Sequence, residues 1–417
     1  MIPEDAVAEE GVAFFSQAAT FERLWPRITD RLHEVFADGK FSHGAQVAAL
    51  ERELAAYTGA GFVIGVNSGT DALVLLLRAC GLRPGDGVLV PAYSFVATAS
   101  SVVLAGGRPQ FVDIDPVSYA MDPAALAKAV TPESRFVMPT HLFHQQADMA
   151  ALGELAETHG LTLVEDSAEG IGMRQLGTHA GLHGRGGVLS FFPSKTLGAI
   201  GDAGAVLTDD PAVAASVGAL RHHGRFGRTL AHFPGISHET ALPGMNSKMD
   251  DFQAAVLRAK LPELEADIAR RATLAAAYTE RLRGLPGVRR LPEPFPEAPG
   301  SRGVFYVYLV EVDRRDALVA ALAARGVGTE TYYPRPLHRQ PCFAELGYRA
   351  GDFPVAEAAS RHALALPLYP DLELSQVDRV CAAIAEFYTE APTGSPGATA
   401  PVAEPAPGVP EFEGGAR

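Results

Sequence analysis

Two residues with complementary chemistry close neighbouring apolar runs. Asp166 ends LTLVED (161–166), and Lys195 follows VLSFFPS (188–194). A lysine amine in such a place can condense with an aldehyde and then move protons at the adjacent carbon. A buried acid can face a pyridine nitrogen, keep it protonated and let the ring act as an electron sink. Together these are the needs of pyridoxal phosphate (PLP). Its phosphate wants free backbone N–H groups at a helix N-terminus plus hydroxyls. NSGTDALVL (67–75) offers a glycine turn, Thr70 and a helix start. Each feature alone has an ordinary explanation: a solvated lysine, an acid at a strand end, a plain N-cap. Their order on one scaffold points to a cofactor site.

The scaffold is legible from Gln46 to Asp210. Short apolar runs such as those in GFVIGVNSG, GDGVLVPAYS and RPQFVDIDP alternate with amphipathic segments such as GAQVAALERELAAYTG and DMAALGELAETHG. That pattern predicts an α/β fold, a mostly parallel sheet sandwiched by helices. Ligands in such sheets gather at the carboxyl ends of the strands. Asn67, Ser68, Tyr93, His141, Glu165 and Asp166 fall there. From residue 261 the pattern changes to a long helix (LPELEADIARRATLAAAYTERLRGL), a strand (VFYVYLVEV), a helix, a second strand (GVGTETYYP) and a closing helix (LSQVDRVCAAIAEFYTE). We expect a large domain over 1–260 and a smaller α+β domain over 261–390. The tail 391–417 is rich in Pro, Ala and Gly and is expected to be disordered.

The net charge of −14 argues against a nucleic-acid or anionic-membrane surface. Cys80, Cys342 and Cys381 form no CxxC pair, which fits a reducing cytoplasm better than a disulfide framework. The acidic start MIPEDAVAEE has no basic n-region, and no run of apolar residues is long enough to span a bilayer. His179 and His183 have i, i+4 spacing, but GTHAGLHGRGG is too glycine-rich for a helix, so no metal site is expected. His141/His144, His222/His223 and His232/His238 are further pairs; His222, with Arg221 and Arg225, reads as a basic loop near substrate phosphates or as a solvated one. No GxGxxG follows the first strand, so a dinucleotide site is not expected.

At this point a family resemblance enters. NSGTDAL (67–73), VPAYSFVATA (90–99), FVDIDP (111–116), HLFHQQADM (141–149), VEDSAEGIG (164–172), LSFFPSK (189–195), GMNSKMDDFQAAVL (244–257), YYPRPLH (332–338) and LALPLYP (364–370) resemble, in order, the DegT-type (DegT/DnrJ/StrS) sugar aminotransferases of fold type I. The resemblance runs from about Phe41 to Tyr388. It implies that Lys195 bonds to PLP, Asp166 pairs with the pyridine nitrogen and Phe95 stacks on the ring. Gly69, Thr70 and Ser190 would hold the phosphate, and Asn246 would reach it from a neighbouring subunit, making a homodimer with shared sites. The implied reaction moves an amino group from an amino-acid donor, usually glutamate, to a keto sugar carried on a nucleotide. The closing segments look most like the branch acting on keto-deoxyhexoses.

The departures concentrate near the site. Glu169 stands where the family usually has Gln or His, and His144 where it has glycine. Lys248 replaces an arginine, Ala203 a glycine, and Tyr306 a histidine. Glu169 is expected beside the cofactor, and His144, His222, Tyr333 and His338 on the substrate side. Lys195 is expected to work near neutral pH through burial lowering its pKa. Two other outcomes stay open: a related PLP enzyme, such as a sugar dehydratase or carbocycle aminotransferase, and a PLP-binding regulator. The dehydratase branch has histidine in place of the lysine, and Lys195 stands against it.

Overall fold

The computed structural model describes residues 11–226, 240–293 and 298–389. The expected disordered tail and the His232/His238 pair lie outside them. In chain order the first half holds α1 (Ala18–Asp38), α2 (Ala45–Thr58), β1 (Phe62–Val66), α3 (Gly69–Ala79), β2 (Gly87–Pro91), α4 (Val96–Ala105), β3 (Arg108–Val112), α5 (Pro123–Ala129), β4 (Ser134–Val137), α6 (Met149–His159) and β5 (Thr162–Leu163). Next come β6 (Arg174–Gln175), β7 (Thr178–His179), β8 (Gly187–Ser190), β9 (Gly204–Thr208), α7 (Pro211–Leu220) and α8 (Asp251–Lys260). The remainder is α9 (Leu264–Leu282), β10 (Val288–Arg290), β11 (Tyr308–Val312), α10 (Arg315–Ala324), α11 (Pro354–His362), β12 (Ala363–Leu366) and α12 (Leu374–Thr389).

Strands β3-β2-β4-β5 pair in parallel, and β1-β9-β8 form a second group through the antiparallel β9. A parallel bridge between Glu165 and Gly187 joins the groups into one sheet, ordered β3-β2-β4-β5-β8-β9-β1. Its strands are continuous apolar runs because helices cover both faces; β2 and β9 are buried at every position. The helix starts are written in the sequence. Asp122 and Asp210 cap α5 and α7 through their side chains, each followed by proline, and Asp148 caps α6.

The smaller sheet, β10-β11-β12, is antiparallel and packs with α9, α10 and α12 around Tyr278, Tyr308, Leu322, Leu364 and Ile384. The strand expected across GVGTETYYP (326–334) does not form. Only single bridges survive, Val327 to Val12 and Glu330 to Ala365. Gly326 sits at φ +72°, and a Cβ at Gly328 would meet the Phe14 backbone nitrogen at 2.6 Å. After the turn residue Gly326 the segment runs extended but close-packed, sharing backbone hydrogen bonds first with Val12 and then with Ala365, so neither pairing grows into a ladder. Among the described residues, no helix is long and apolar enough to cross a membrane.

Candidate active site

Successive residues of an extended chain face opposite ways, and this separates Glu165 from Asp166. Glu165 is fully buried and accepts from His141 Nε2 (2.9 Å) and from the backbone N–H groups of Gly181, His183 and Gly184. It anchors a turn; burial pushes its carboxyl up, but His141 and the N–H donors outweigh that and hold it below its ordinary value. Asp166 points into a cavity of about 360 Å³. It accepts from Thr98 Oγ1 (2.7 Å) and the Ala168 N–H (3.3 Å). Burial pushes its carboxyl above the ordinary range despite those donors. It is a buried acid with no cation bonded to it, which is what a protonated ring nitrogen would complement.

Lys195 enters the same cavity from the turn after β8. Gly198 makes that turn feasible, since a Cβ there would lie 2.2 Å from the Pro193 carbonyl oxygen. Lys260, buried at the end of α8, donates to the Gly198 carbonyl (2.6 Å) and to Gln17 (2.9 Å), and burial lowers its pKa to about 8. Lys195 Nζ donates to Glu169 Oε1 at 3.1 Å and sits 4.2 Å from the centroid of the Tyr306 ring. The expectation that burial leaves Lys195 depressed is corrected here. Burial does push the ammonium down, but Glu169, Tyr306 and Asp166 outweigh it and the net shift is upward. Glu169 Oε2 accepts from the Phe143 N–H at 2.9 Å, and Phe143 takes a left-handed backbone (φ +64°) to aim it.

The third wall is the N-terminus of α3. Ser68 caps it by accepting from the Asp71 N–H, and Ser68, Gly69 and Thr70 line the cavity opposite Ser190. First-turn N–H groups have no partner within a helix and carry the positive end of its dipole. Close approach is built in: a Cβ on Gly69 would meet Ser190 Cβ at 2.9 Å. One on Gly204 would meet the Ser68 carbonyl carbon at 2.5 Å and the Gly69 nitrogen at 2.7 Å. Both of these last contacts are backbone, so Gly204→Ala is expected to lose about 1–3 kcal/mol in urea unfolding and to weaken cofactor retention on dialysis. An unchanged midpoint and unchanged retention would show that this turn yields freely.

Phe95, at the N-cap of α4, is 56% exposed at the cavity, a large apolar face free to stack on a planar ring. Tyr306, Tyr332 and Tyr333 close the far side. Tyr93 holds that segment by donating to the Tyr332 carbonyl and accepting from the Tyr333 N–H. Thr140 Oγ1 is buried in the same cavity without a partner. An amine, a buried acid lacking its cation, a helix N-terminus with a hydroxyl, an exposed aromatic face and an orphaned hydroxyl suit an anionic aromatic aldehyde. The residues present fit PLP.

Gly69, Thr70, Phe95, Asp166, Glu169, Ser190, Lys195 and Tyr333 thus share one cavity. Four candidates do not line it. His144 is buried against Phe305 (rings 4.8 Å apart) and bonded to the Glu293 carbonyl, because the turn at Phe143 sends it behind the site; burial lowers it to about 4. His338 pairs with Glu357 at 3.0 Å. His222 pairs its backbone with Asn246 beside His43 and Lys248, and Asn246 is exposed with Lys248 Nζ on its side-chain oxygen. His179 accepts from the Gly172 N–H, so its ring serves the fold. Among the described residues, no group of three or more His, Cys, Asp or Glu side chains could hold a metal ion. Sequence reasoning missed Thr98, Thr140, Tyr332, Lys260 and Arg271. Arg271 is a buried arginine of α9 that donates to the Tyr306 carbonyl at 3.0 Å and so anchors the backbone that carries this ring. Of these, Thr98 and Tyr332 fall within the VPAYSFVATA and YYPRPLH segments, and that was their sequence signal.

Sheet order, helix cover and a lysine–aspartate cavity define the class of fold-type-I PLP enzymes. The model of the DegT/DnrJ/EryC1/StrS aminotransferase family matches residues 24–385, and the chain belongs to that family, whose aminotransferases depend on PLP. It is 41% identical to the pleiotropic regulatory protein of Geobacillus stearothermophilus, over 88% of this chain and 96% of that one. It is 39% identical to dTDP-3-amino-3,4,6-trideoxy-alpha-D-glucose transaminase of Streptomyces venezuelae, over 90% of this chain and 96% of that one. The solved structure of S. venezuelae DesV, in complex with a ketimine intermediate, aligns with a TM-score of 0.85 at 38% identity, covering 92% of this chain and all of that one.

Proposed function

We propose that the protein transfers an amino group from an amino acid, with glutamate as the donor, to a keto-deoxysugar carried on a nucleotide, forming an aminosugar. The observation that carries this is the meeting of Lys195, Asp166 and the α3 N-terminus at one cavity in a chain of this aminotransferase family. Bound PLP supplies an aldehyde and an electron-accepting ring. Asp166 holds a proton at the ring nitrogen. Phe95 would stack on the ring. The first-turn N–H groups of Gly69 and Thr70, with Ser190, hold the phosphate. Lys195 Nζ would hold the cofactor at its aldehyde carbon and would move a proton at the substrate carbon in each half of the reaction. Tyr306, Tyr332 and Tyr333 keep water from that carbon. Tyr333, at the cavity wall, is the substrate-side residue. The reading is tested by following loss of the lysine-bound PLP absorption on adding glutamate, then its return on adding nucleotide-linked keto sugars; a spectrum indifferent to glutamate would sink it.

We further propose a cytoplasmic homodimer, with the large domain through residue 260 and the smaller one from 261. Asn246 is exposed and absent from its own cavity, which suits a reach into a partner's. Mixing Lys195→Ala chains with Asn246→Ala chains would then give mixed dimers with one intact site each. Activity is expected to rise to roughly a quarter of wild type, since half the dimers carry one good site of two. No rise above the sum of the parents would place Asn246 outside the partner's site.

A further inference from the structure

We infer that Glu169 is the proton partner of Lys195: it takes the proton when the ammonium must become an amine, and gives it back afterwards. This rests on the reading of Lys195 as the reactive amine. In the transfer one N–H bond breaks at Nζ and one O–H bond forms at Oε1. A buried ion pair becomes a neutral amine and a neutral acid, and no other reactant is needed. Four observations support it. The two atoms are already at hydrogen-bond distance, 3.1 Å, and Glu169 is only 5% exposed. Its second oxygen is fixed by the Phe143 N–H, so Oε1 is left for the exchange. The other acid acting on Lys195, Asp166, has its oxygens engaged by Thr98 and Ala168. The Tyr306 ring, on a backbone anchored by Arg271, lies 4.2 Å from Lys195 Nζ, favours its cationic form and so keeps the pair poised as ions at rest. Tyr332 and Tyr333 also face Glu169, and burial keeps both phenols protonated. Asp202 lines the same cavity. Burial lowers the cost of the transfer relative to an exposed pair, because desolvation penalises both charges. Glutamine, which keeps the length and shape of the side chain but has no acid to protonate, has no such capacity.

The test titrates Lys195 directly. The cofactor-stripped full-length chain is treated with an amine-reactive ester across pH, and acylation of the Lys195 and Lys128 peptides is followed by mass spectrometry. In wild type, Lys195 is expected to react with a midpoint above that of the exposed Lys128. In Glu169→Gln the midpoint falls by about one pH unit or more, a roughly tenfold faster reaction at neutral pH. With PLP bound, the pH midpoint of the lysine-bound absorption falls in the same variant. A wild-type Lys195 midpoint at or below that of Lys128 overturns the inference without needing any variant to fold. So does a Glu169→Gln midpoint equal to wild type in a chain of normal circular dichroism. Failure of the chain to take up PLP at all would instead overturn the functional reading, so the two failures are distinguishable.

Discussion

Lys195→Ala is expected to remove the absorption of lysine-bound PLP entirely and to lower turnover by about 10⁴-fold or more. The size follows from what is lost. One amine supplies both the covalent linkage to the cofactor and the proton shuttle at the substrate carbon, and among the described residues no other lysine lines the cavity. Tyr306 and Glu169 would be left facing a void, and Glu169 would become a buried acid without its ion pair. PLP could still sit on the α3 N-terminus, so the measurement is a spectrum after gel filtration alongside steady-state turnover. Retention of the wild-type absorption by the variant would show that another amine holds the cofactor.

Asp166→Asn is expected to cost about 10²–10³-fold in turnover, the range found when one preorganised electrostatic partner is removed. The amide keeps the volume and the Thr98 contact but cannot hold a proton at the ring nitrogen. Asp166 is set up to do so: it is buried, its carboxyl is pushed up, and its other partners are a hydroxyl and one long N–H contact. A cation at the ring nitrogen would bring that carboxyl back down, so the bound form should stay active to lower pH than the free carboxyl suggests. The variant's PLP affinity should fall with its turnover. Turnover within threefold of wild type would mean that the ring nitrogen is protonated by something else.

The sequence carried the parts of the site that lie at strand ends. Asp166, Lys195, Ser190 and the Ser68–Gly69–Thr70 turn were readable because a parallel sheet places its carboxyl ends together. The helices from α2 to α6 were readable from spacing and caps. Other parts depended on contacts between distant segments. His144 adjoins site residues in the sequence, yet the left-handed turn at Phe143 carries it behind them. Tyr332 and Tyr306 lie more than a hundred residues from Lys195 in the chain, and nothing in their local pattern shows that they close over it. The direction of the Lys195 shift required the Glu169 distance, since burial alone predicts the opposite sign. Helix α1 carried buried positions Leu24, Ile28 and Val35 at helical spacing, but Pro26 interrupts the pattern. The segment 326–334 looked like a strand by residue type, and its pairing is divided between Val12 and Ala365, which leaves single bridges in place of a ladder.

The most direct test of the account is isotopic. The purified enzyme with PLP is given ¹⁵N-glutamate and a panel of nucleotide-linked keto-deoxysugars, and the sugar products are analysed by mass spectrometry. The account predicts a sugar that carries ¹⁵N on the former carbonyl carbon, formed together with the keto acid of the donor and absent with Lys195→Ala. A sugar converted without a new C–N bond, or no conversion across the panel despite a wild-type PLP spectrum that responds to glutamate, would contradict it.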